Sequence, residues 1–511
     1  MVFDSKMLPA QWKKVCVIGA GMAGLAAARE MRLEGHAVTV LEQGGDVGGQ
    51  WLYDPRTDDD DPLGAAPAPV RVHSSMYASL RLISPRESMG FTDFPLLPSD
   101  GAGRDPRRFP GHREVFLYLK DFCDAFGLMD AVRLYTRVLR VAMAPRQSPA
   151  GAGGAGEPKW VVRSVRLGER RDGADVQEEV FDAVVVATGH YSQPSLPTIK
   201  GMEVWRRRQL HSHSYRLPEP FRGEVVVMVG CGDSGKDIAL DLIGVAREVH
   251  LTAKSTEAAM TPAMSKLLAK YANLHLRPQI EHLCEDGTVV FADGSCVVAD
   301  TVIYCTGYVY SFPFLDTEGK VTVDDNSVGP LFEHVFPPAL APSLSFVGVP
   351  KKVPAPWFFE AQGKWVAQVL SGRRSLPPEE EMMRSVGEHY RSRAAAGVPV
   401  KCTHELGGVE PLKFIEFGEK YCDFPRYEDW KREIILCANR RRDEDMETFR
   451  DRVDDDSDHV RLCLQSWRCL SSTRGDASVA AAPPPLAPTS MAMASSLALN
   501  STGSGSGSGH G

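Results

Sequence analysis

Residues 15–42 constrain this chain more than any other stretch. Residues 15–18 are an apolar, β-branched-rich run, and Gly19, Gly21 and Gly24 follow in G-x-G-x-x-G spacing. Met22–Leu33 is rich in helix formers, Gly35 stops that helix, and Ala37–Leu41 reads as a second strand. Together these predict a βαβ unit. Its glycines give a tight turn, let the backbone approach a pyrophosphate, and let helix and strand pack closely. The turn residues Gly19, Ala20, Gly21, Met22, Ala23 and Gly24 then present free N–H groups at a helix N-terminus, where phosphate binds. Glu42 stands 23 residues after Gly19, where an acid accepts hydrogen bonds from ribose hydroxyls.

A second such unit lies in the middle of the chain. Val225–Val229 is apolar, residues 234–243 read as helix, and Glu248–Thr252 as strand. Between them Gly230, Cys231, Gly232, Asp233, Ser234 and Gly235 repeat the glycine spacing. Counting 23 residues from Gly230 reaches Ala253, with Lys254 beside it, so the acid is missing and a cation stands next to its place. An acid there repels a 2′-phosphate and a cation accommodates one, so the second unit favours NADP over NAD.

Three further signals frame the pair. Residues 182–189 (DAVVVATG) and 300–307 (DTVIYCTG) echo each other 118 residues apart. The echo predicts two lobes that each return a strand to the cofactor, ending at Thr188–Gly189 and Thr306–Gly307. Residues 44–51 (GGDVGGQW) make another glycine turn, predicting backbone at Gly49, Gln50 and Trp51 crowded against the cofactor. Residues 113–126 carry apolar side chains at helical spacing and read as a core helix. The fold class is therefore α/β with two dinucleotide-binding domains, the first expected over residues 13–205 and 298–440 and the second inserted over 206–297. Residues 145–158, with GAGGAG, read as a flexible excursion, and 471–511 as a disordered Ala/Pro/Ser/Gly tail.

Bulk properties narrow the function. A net charge of −8 gives no reason to expect nucleic acid or an anionic membrane as partner. No run approaches the roughly 20 apolar residues of a membrane span. Eleven scattered cysteines without C-x-x-C spacing favour reduced thiols and a cytosolic address. The aspartate run 58–61 reads as a solvated loop, and the His211-x-His213 pair lacks partners, so no metal is expected. Two nucleotides in one chain imply that one cofactor passes electrons to the other. The first unit, with its acid, suits FAD and the second NADPH. Disulfide reductases share that plan but need a redox cysteine pair beside the flavin. None follows residues 48–49, and Cys231 reads as a small turn residue.

Collectively, the segments GAGMAG (19–24), GGQW (48–51), HSSMYASL (73–80), PGHREV (110–115), ATGHY (187–191), HSHSY (211–215), GCGDSG (230–235) and CTGY (305–308) are specific. Through them the chain resembles the flavin-containing monooxygenases, most closely the plant glucosinolate S-oxygenase-like group, over about four-fifths of its length. The resemblance implies FAD and NADPH as cofactors, and O2 and a small sulfur or nitrogen nucleophile as substrates. It also implies oxygen transfer from a C4a-hydroperoxyflavin shielded from water. Two departures stand out. In the signature F-x-G-x-x-x-H-x-x-x-Y/F, Trp205, His211 and Tyr215 keep the frame but Arg207 replaces the glycine. In the Y-x-S-x-x-x-N stretch the asparagine near the reactive flavin is replaced by Ile83 after Tyr77 and Ser79. An isoleucine cannot hydrogen-bond a peroxide or a nicotinamide. Either Ser84 supplies that bond or peroxide leaks, leaving an uncoupled NADPH oxidase or a flavoprotein kept for binding as competing expectations.

Overall fold

In the computed structural model, residues 12–66, 71–99, 101–145, 158–168, 176–407, 411–452 and 457–474 are described. The chain opens with β1 (Lys14–Ile18), α1 (Met22–Leu33) and β2 (Ala37–Leu41), then α2 (His112–Ala125) and β3 (Val132–Arg133). Three antiparallel strands follow, β4 (Thr136–Met143), β5 (Trp160–Arg166) and β6 (Val176–Phe181), and then β7 (Ala183–Val186). After β8 (Gln193–Pro194) comes a second run of β9 (Arg208–His211), β10 (Val225–Val229), α3 (Asp233–Leu242), β11 (Glu248–Thr252), α4 (Thr256–Ala259), α5 (Pro262–Lys270) and β12 (Leu274–Arg277). A meander of β13 (Ile280–Leu283), β14 (Thr288–Phe291) and β15 (Cys296–Val298) precedes β16 (Thr301–Tyr304) and β17 (Tyr308–Val309). Short strands β18 (Leu315–Asp316), β19 (Thr322–Asp324) and β20 (Ser327–Gly329) lead to β21 (Leu344–Phe346) and α6 (Ala355–Leu370). Helices α7 (Glu379–Ala395), α8 (Pro411–Cys422), α9 (Asp429–Glu444) and α10 (Asp458–Arg474) are the last elements of the described residues.

Two parallel sheets result. The first runs β21-β7-β1-β2-β3 and the second β12-β11-β10-β16-β9. The 182–189 and 300–307 echo takes the same place in both: β7 lies parallel beside β1, and β16 parallel beside β10. The boundary expected at 297/298 falls before β16, whose backbone belongs to the second sheet, so that sheet is completed only at Tyr304. The chain leaves the first lobe through β8 and re-enters it through β17, and these two pair antiparallel, Pro194 opposite Tyr308.

Burial follows from the patterning. Strands β1, β7 and β16 read as continuous apolar runs because both faces of a parallel sheet are covered. Alanines on α1 let α6 approach closely: a Cβ on Gly363 would lie 2.9 Å from Cα of Ala27. On α3, Ile238, Ala239 and Leu242 pack against Val249, Leu251 and Met264 of the second lobe. The opposite face of that sheet meets Val289 and Phe291 of the β13–β15 meander. The expected core helix is present as α2, burying Val115, Leu119 and Phe122. The excursion at 145–158 lies between β4 and β5, with residues 146–157 outside the described residues. Helix α10 carries the first positions of the expected tail to Arg474, and residues 475–511 are likewise outside the description.

Candidate active site

The two glycine turns are built alike. In the first, Gly19 has φ +102° and a Cβ there would sit 2.6 Å from the carbonyl oxygen of Ala187 at the end of β7. A Cβ on Gly24 would collide with the carbonyl oxygen of Gly19. In the second, Gly230 has φ +110° and its Cβ would lie 2.7 Å from the carbonyl oxygen of Cys305, while one on Gly235 would collide with Gly230. Only glycine meets both demands, a left-handed backbone and a helix packed against its own turn. Nothing lies within 4 Å of a Cβ built on Gly232, Gly189 or Gly307, so these backbones border open space. The helices that start at Met22 and Asp233 have no side-chain cap, which leaves their first N–H groups for a ligand. Ala20, Met22 and Ala23 are buried at the first turn, and Ser234 is half-buried and Asp233 exposed at the second.

Glu42 is tied to the turn it serves. Its Oε2 accepts from the Ala20 N–H at 2.7 Å and its Oε1 from the Gly44 N–H at 2.6 Å. Each carboxylate oxygen keeps a second lone pair for a ribose hydroxyl. The GGQW turn is crowded, as its glycines implied, but against protein: a Cβ on Gly49 would lie 2.8 Å from Cα of Gly21, and the Gly48 N–H donates to the Ala20 carbonyl at 2.9 Å. Gln50 and Trp51 continue it as one half-buried helical turn, and the Ser74 hydroxyl donates to the Gln50 carbonyl at 3.0 Å. Among the described residues, Thr188 Oγ1 is buried with no hydrogen-bond partner, at the mouth of the first turn. Thr306, its counterpart, donates to the Ser195 carbonyl. These features fit a dinucleotide at each turn. Lys254 is exposed two residues after β11, and Cys231 is half-buried with its thiol pushed up by burial, which suits a turn residue and not a redox thiolate.

Between the lobes runs the segment holding Tyr77, Ser79 and Ile83. The Tyr77 hydroxyl donates to Asp237 on α3, and Ser79 and Tyr215 both donate to Asp241, at 2.9 and 2.6 Å. Arg450, after α9, closes the set: it donates to Asp237 at 2.9 Å and to the Leu82 carbonyl at 3.0 Å. Ile83 is 38% exposed and borders a cavity of about 30 Å3 with Asp233, Lys236, Thr261 and Arg450. Ser84 beside it is half-buried. Asp237, Asp241 and Arg450 escaped the sequence reading. The two aspartates are four apart on one helix face, a spacing visible in the sequence, whereas the partner from residue 450 carries no local signal.

The remaining departures resolve locally. The Arg207 guanidinium donates to the carbonyls of Ala299 and Asp286 at 2.8 and 2.9 Å, at the end of the second sheet remote from the glycine turn. Arg216 joins three segments through the carbonyls of Asp54, Ser74 and His213, at 2.7, 2.9 and 2.6 Å. His211 accepts the His213 N–H at 3.0 Å, and His213 lies 2.8 Å from the Val72 carbonyl, so the pair fastens backbone. Burial pushes their imidazoles down to about 3 and about 4, keeping both neutral near pH 7. In the 58–61 run, Asp58 and Asp60 pair with Arg71 and Asp61 accepts from the Ala65 and Ala66 N–H groups.

Known proteins share this arrangement. The family described as flavin-binding monooxygenase-like matches residues 12–267 and 265–407. The Arabidopsis thaliana flavin-containing monooxygenase FMO GS-OX-like 8 is 53% identical over 452 residues, covering 88% of this chain and 94% of its own. The Arabidopsis FMO GS-OX5 is 46% identical over 444 residues, covering 86% and 92%. Among solved structures, the S-allyl-L-cysteine S-oxygenase of Allium sativum superposes with a TM-score of 0.81 at 43% identity, covering 91% of this chain and all of that one. The family uses FAD and NADPH. No helix among the described residues is long and apolar enough to cross a membrane. The chain belongs to the flavin-binding monooxygenase-like family, and is an FAD-dependent monooxygenase of it.

Proposed function

We propose that the protein oxygenates a small thioether, taking hydride from NADPH and one oxygen atom from O2. The observation that carries this reading is the duplicated glycine turn, one copy with its acid and one with Lys254 in the acid's neighbourhood. On this reading Gly19–Gly24, Glu42, Gly49, Gln50, Trp51, Thr188 and Gly189 hold FAD. Gly230–Gly235, Lys254, Thr306 and Gly307 hold NADPH. Bound flavin, once reduced, supplies the activation of O2. The protein's share is to orient the two rings, to exclude water between the lobes, and to keep nearby titratable groups neutral. Tyr77, Ser79 and Tyr215, anchored on α3, hold the segment carrying Ile83 and Ser84 against the second lobe, where Ser84 would be available to hydrogen-bond a bound cofactor. The likeness to an S-oxygenase over nearly the whole chain supports sulfur as the atom oxidised.

Ile83 favours a second reading, an NADPH oxidase that releases hydrogen peroxide, because its side chain offers no hydrogen bond where the family's asparagine does. Purified FAD-loaded protein given NADPH, O2 and S-allyl-L-cysteine separates the two. Sulfoxide formed in proportion to NADPH consumed supports oxygenation. Peroxide equal to NADPH, unchanged by this or any other thioether tried, supports the oxidase.

A further inference from the structure

We propose that Glu248, His250 and His275 form a binding site for a divalent cation of the zinc class on the second lobe. The site does not depend on the reading of the reaction given above. Strand periodicity places Glu248 and His250 on one face of β11, and the parallel register puts His275 of β12 directly beside His250. One ligand atom from each lies within 4.8 Å of the other two. Glu248 Oε2 is 2.9 Å from His250 Nε2 and 3.8 Å from His275 Nε2. Bonds of about 2.0–2.2 Å at tetrahedral angles separate neighbouring zinc ligands by about 3.4 Å, between those two distances. His250 is 1% exposed and fixes the inner end of the site. Glu248 and His275 are partly exposed, which leaves an entry path and a fourth position for water. Two imidazoles and one carboxylate are the donor set that borderline divalent ions prefer, and a calcium- or magnesium-type ion does not.

Two cations oppose the ion, Arg247 near Glu248 and Arg277 beside His250, and the second shapes the prediction. Arg277, at the end of β12, directs Nε toward His250 Nδ1 at 3.3 Å, with its guanidinium over the Phe291 ring. His250 therefore accepts at Nδ1 and donates its Nε2 proton to Glu248. Zinc at Nε2 replaces that proton, which moves to Nδ1; the imidazole stays neutral, Arg277 must turn away, and the partly exposed His275 ring, stacked on His250 at 4.6 Å, must rotate so that both in-plane lone pairs face one ion. Arg277 is thus a competitor, and its removal should tighten the site, the opposite of what removing a structural neighbour does.

The test is calorimetric titration of the FAD-loaded full chain with zinc chloride. Exposed thiols such as Cys296 also bind zinc, so the readout is the difference between variants. Wild type should show one binding step that is absent in His275→Ala and in Glu248→Gln. Arg277→Met should strengthen that step by about tenfold, in the range of second-neighbour effects on metal sites. Identical titrations for wild type and His275→Ala overturn the assignment, as does an Arg277→Met variant that binds no more tightly. His275→Gln, which keeps the volume and removes the imidazole, replaces His275→Ala if the latter loses its flavin on purification.

Discussion

At Gly24 and Gly235 a single added methyl meets the first glycine of its own turn, so the most constrained residues here are the smallest. Such positions were legible in the sequence because glycine at fixed spacing has few other uses. Glu42 was legible as an acid, but its two bonds to the Ala20 and Gly44 N–H groups were not, since spacing says nothing about which groups a carboxylate reaches. Ile83 was legible only against a family pattern. An amide introduced by Ile83→Asn is expected to raise the fraction of NADPH that yields sulfoxide by several-fold, since a net hydrogen bond is worth about 0.5–1.5 kcal/mol. Product and peroxide measured together check it, and an unchanged ratio contradicts the role given to that position. Lys254→Ala is expected to raise the apparent Kd for NADPH at least about tenfold and leave NADH nearly unaffected, because only NADPH carries the 2′-phosphate. Equal losses for both nucleotides would remove Lys254 from the site.

Among the elements, those with an uninterrupted period are legible in the sequence. The strands 225–229 and 248–252 and helices α1 and α2 declare themselves by apolar spacing, and the structure places them there. The contribution of the C-terminal helices was not legible, because it is made by pairs hundreds of residues apart. Arg450 is the main example, bridging Asp237 on α3 and the Leu82 carbonyl with a side chain 11% exposed. Arg442 adds a 3.2 Å pair with Asp233 at the start of the same helix. Arg450→Ala leaves the half-buried Asp237 beside Tyr77 without its cation, at a cost of about 1 kcal/mol. The segment 77–83 should then loosen, raising peroxide release while FAD stays bound, with Arg450→Lys recovering part of the coupling. A variant that loses flavin outright, or one with unaltered coupling, contradicts this role for Arg450.

Across the whole molecule, two lobes share one plan, and the chain passes between them through the paired strands β8 and β17. The duplication was legible; where the inserted lobe ends was not, because β16 is hydrogen-bonded to strands 75 and 93 residues earlier. Acid sensitivity belongs to this scale. His211, His213 and His404 are buried with imidazoles pushed to about 3, about 4 and about 3, chiefly by burial. Their folded values lie below the unfolded value near 6.5, so the unfolded chain binds more protons between those limits. Stability is therefore full above pH 6.5 and falls as pH drops toward 4, by roughly 1 kcal/mol per histidine at pH 5.5. Thermal melts across that window check it, and a flat Tm would contradict the burial of these rings.

The account rests on one polypeptide holding two nucleotides whose rings meet. Anaerobic mixing of NADPH with FAD-loaded protein tests this most directly, comparing wild type with Gly235→Ala, whose added methyl blocks only the second turn. The account predicts rapid bleaching of the flavin band in wild type, and a variant that keeps its yellow flavin but is no longer reduced. A Gly235→Ala protein bleached by NADPH at the wild-type rate would contradict it.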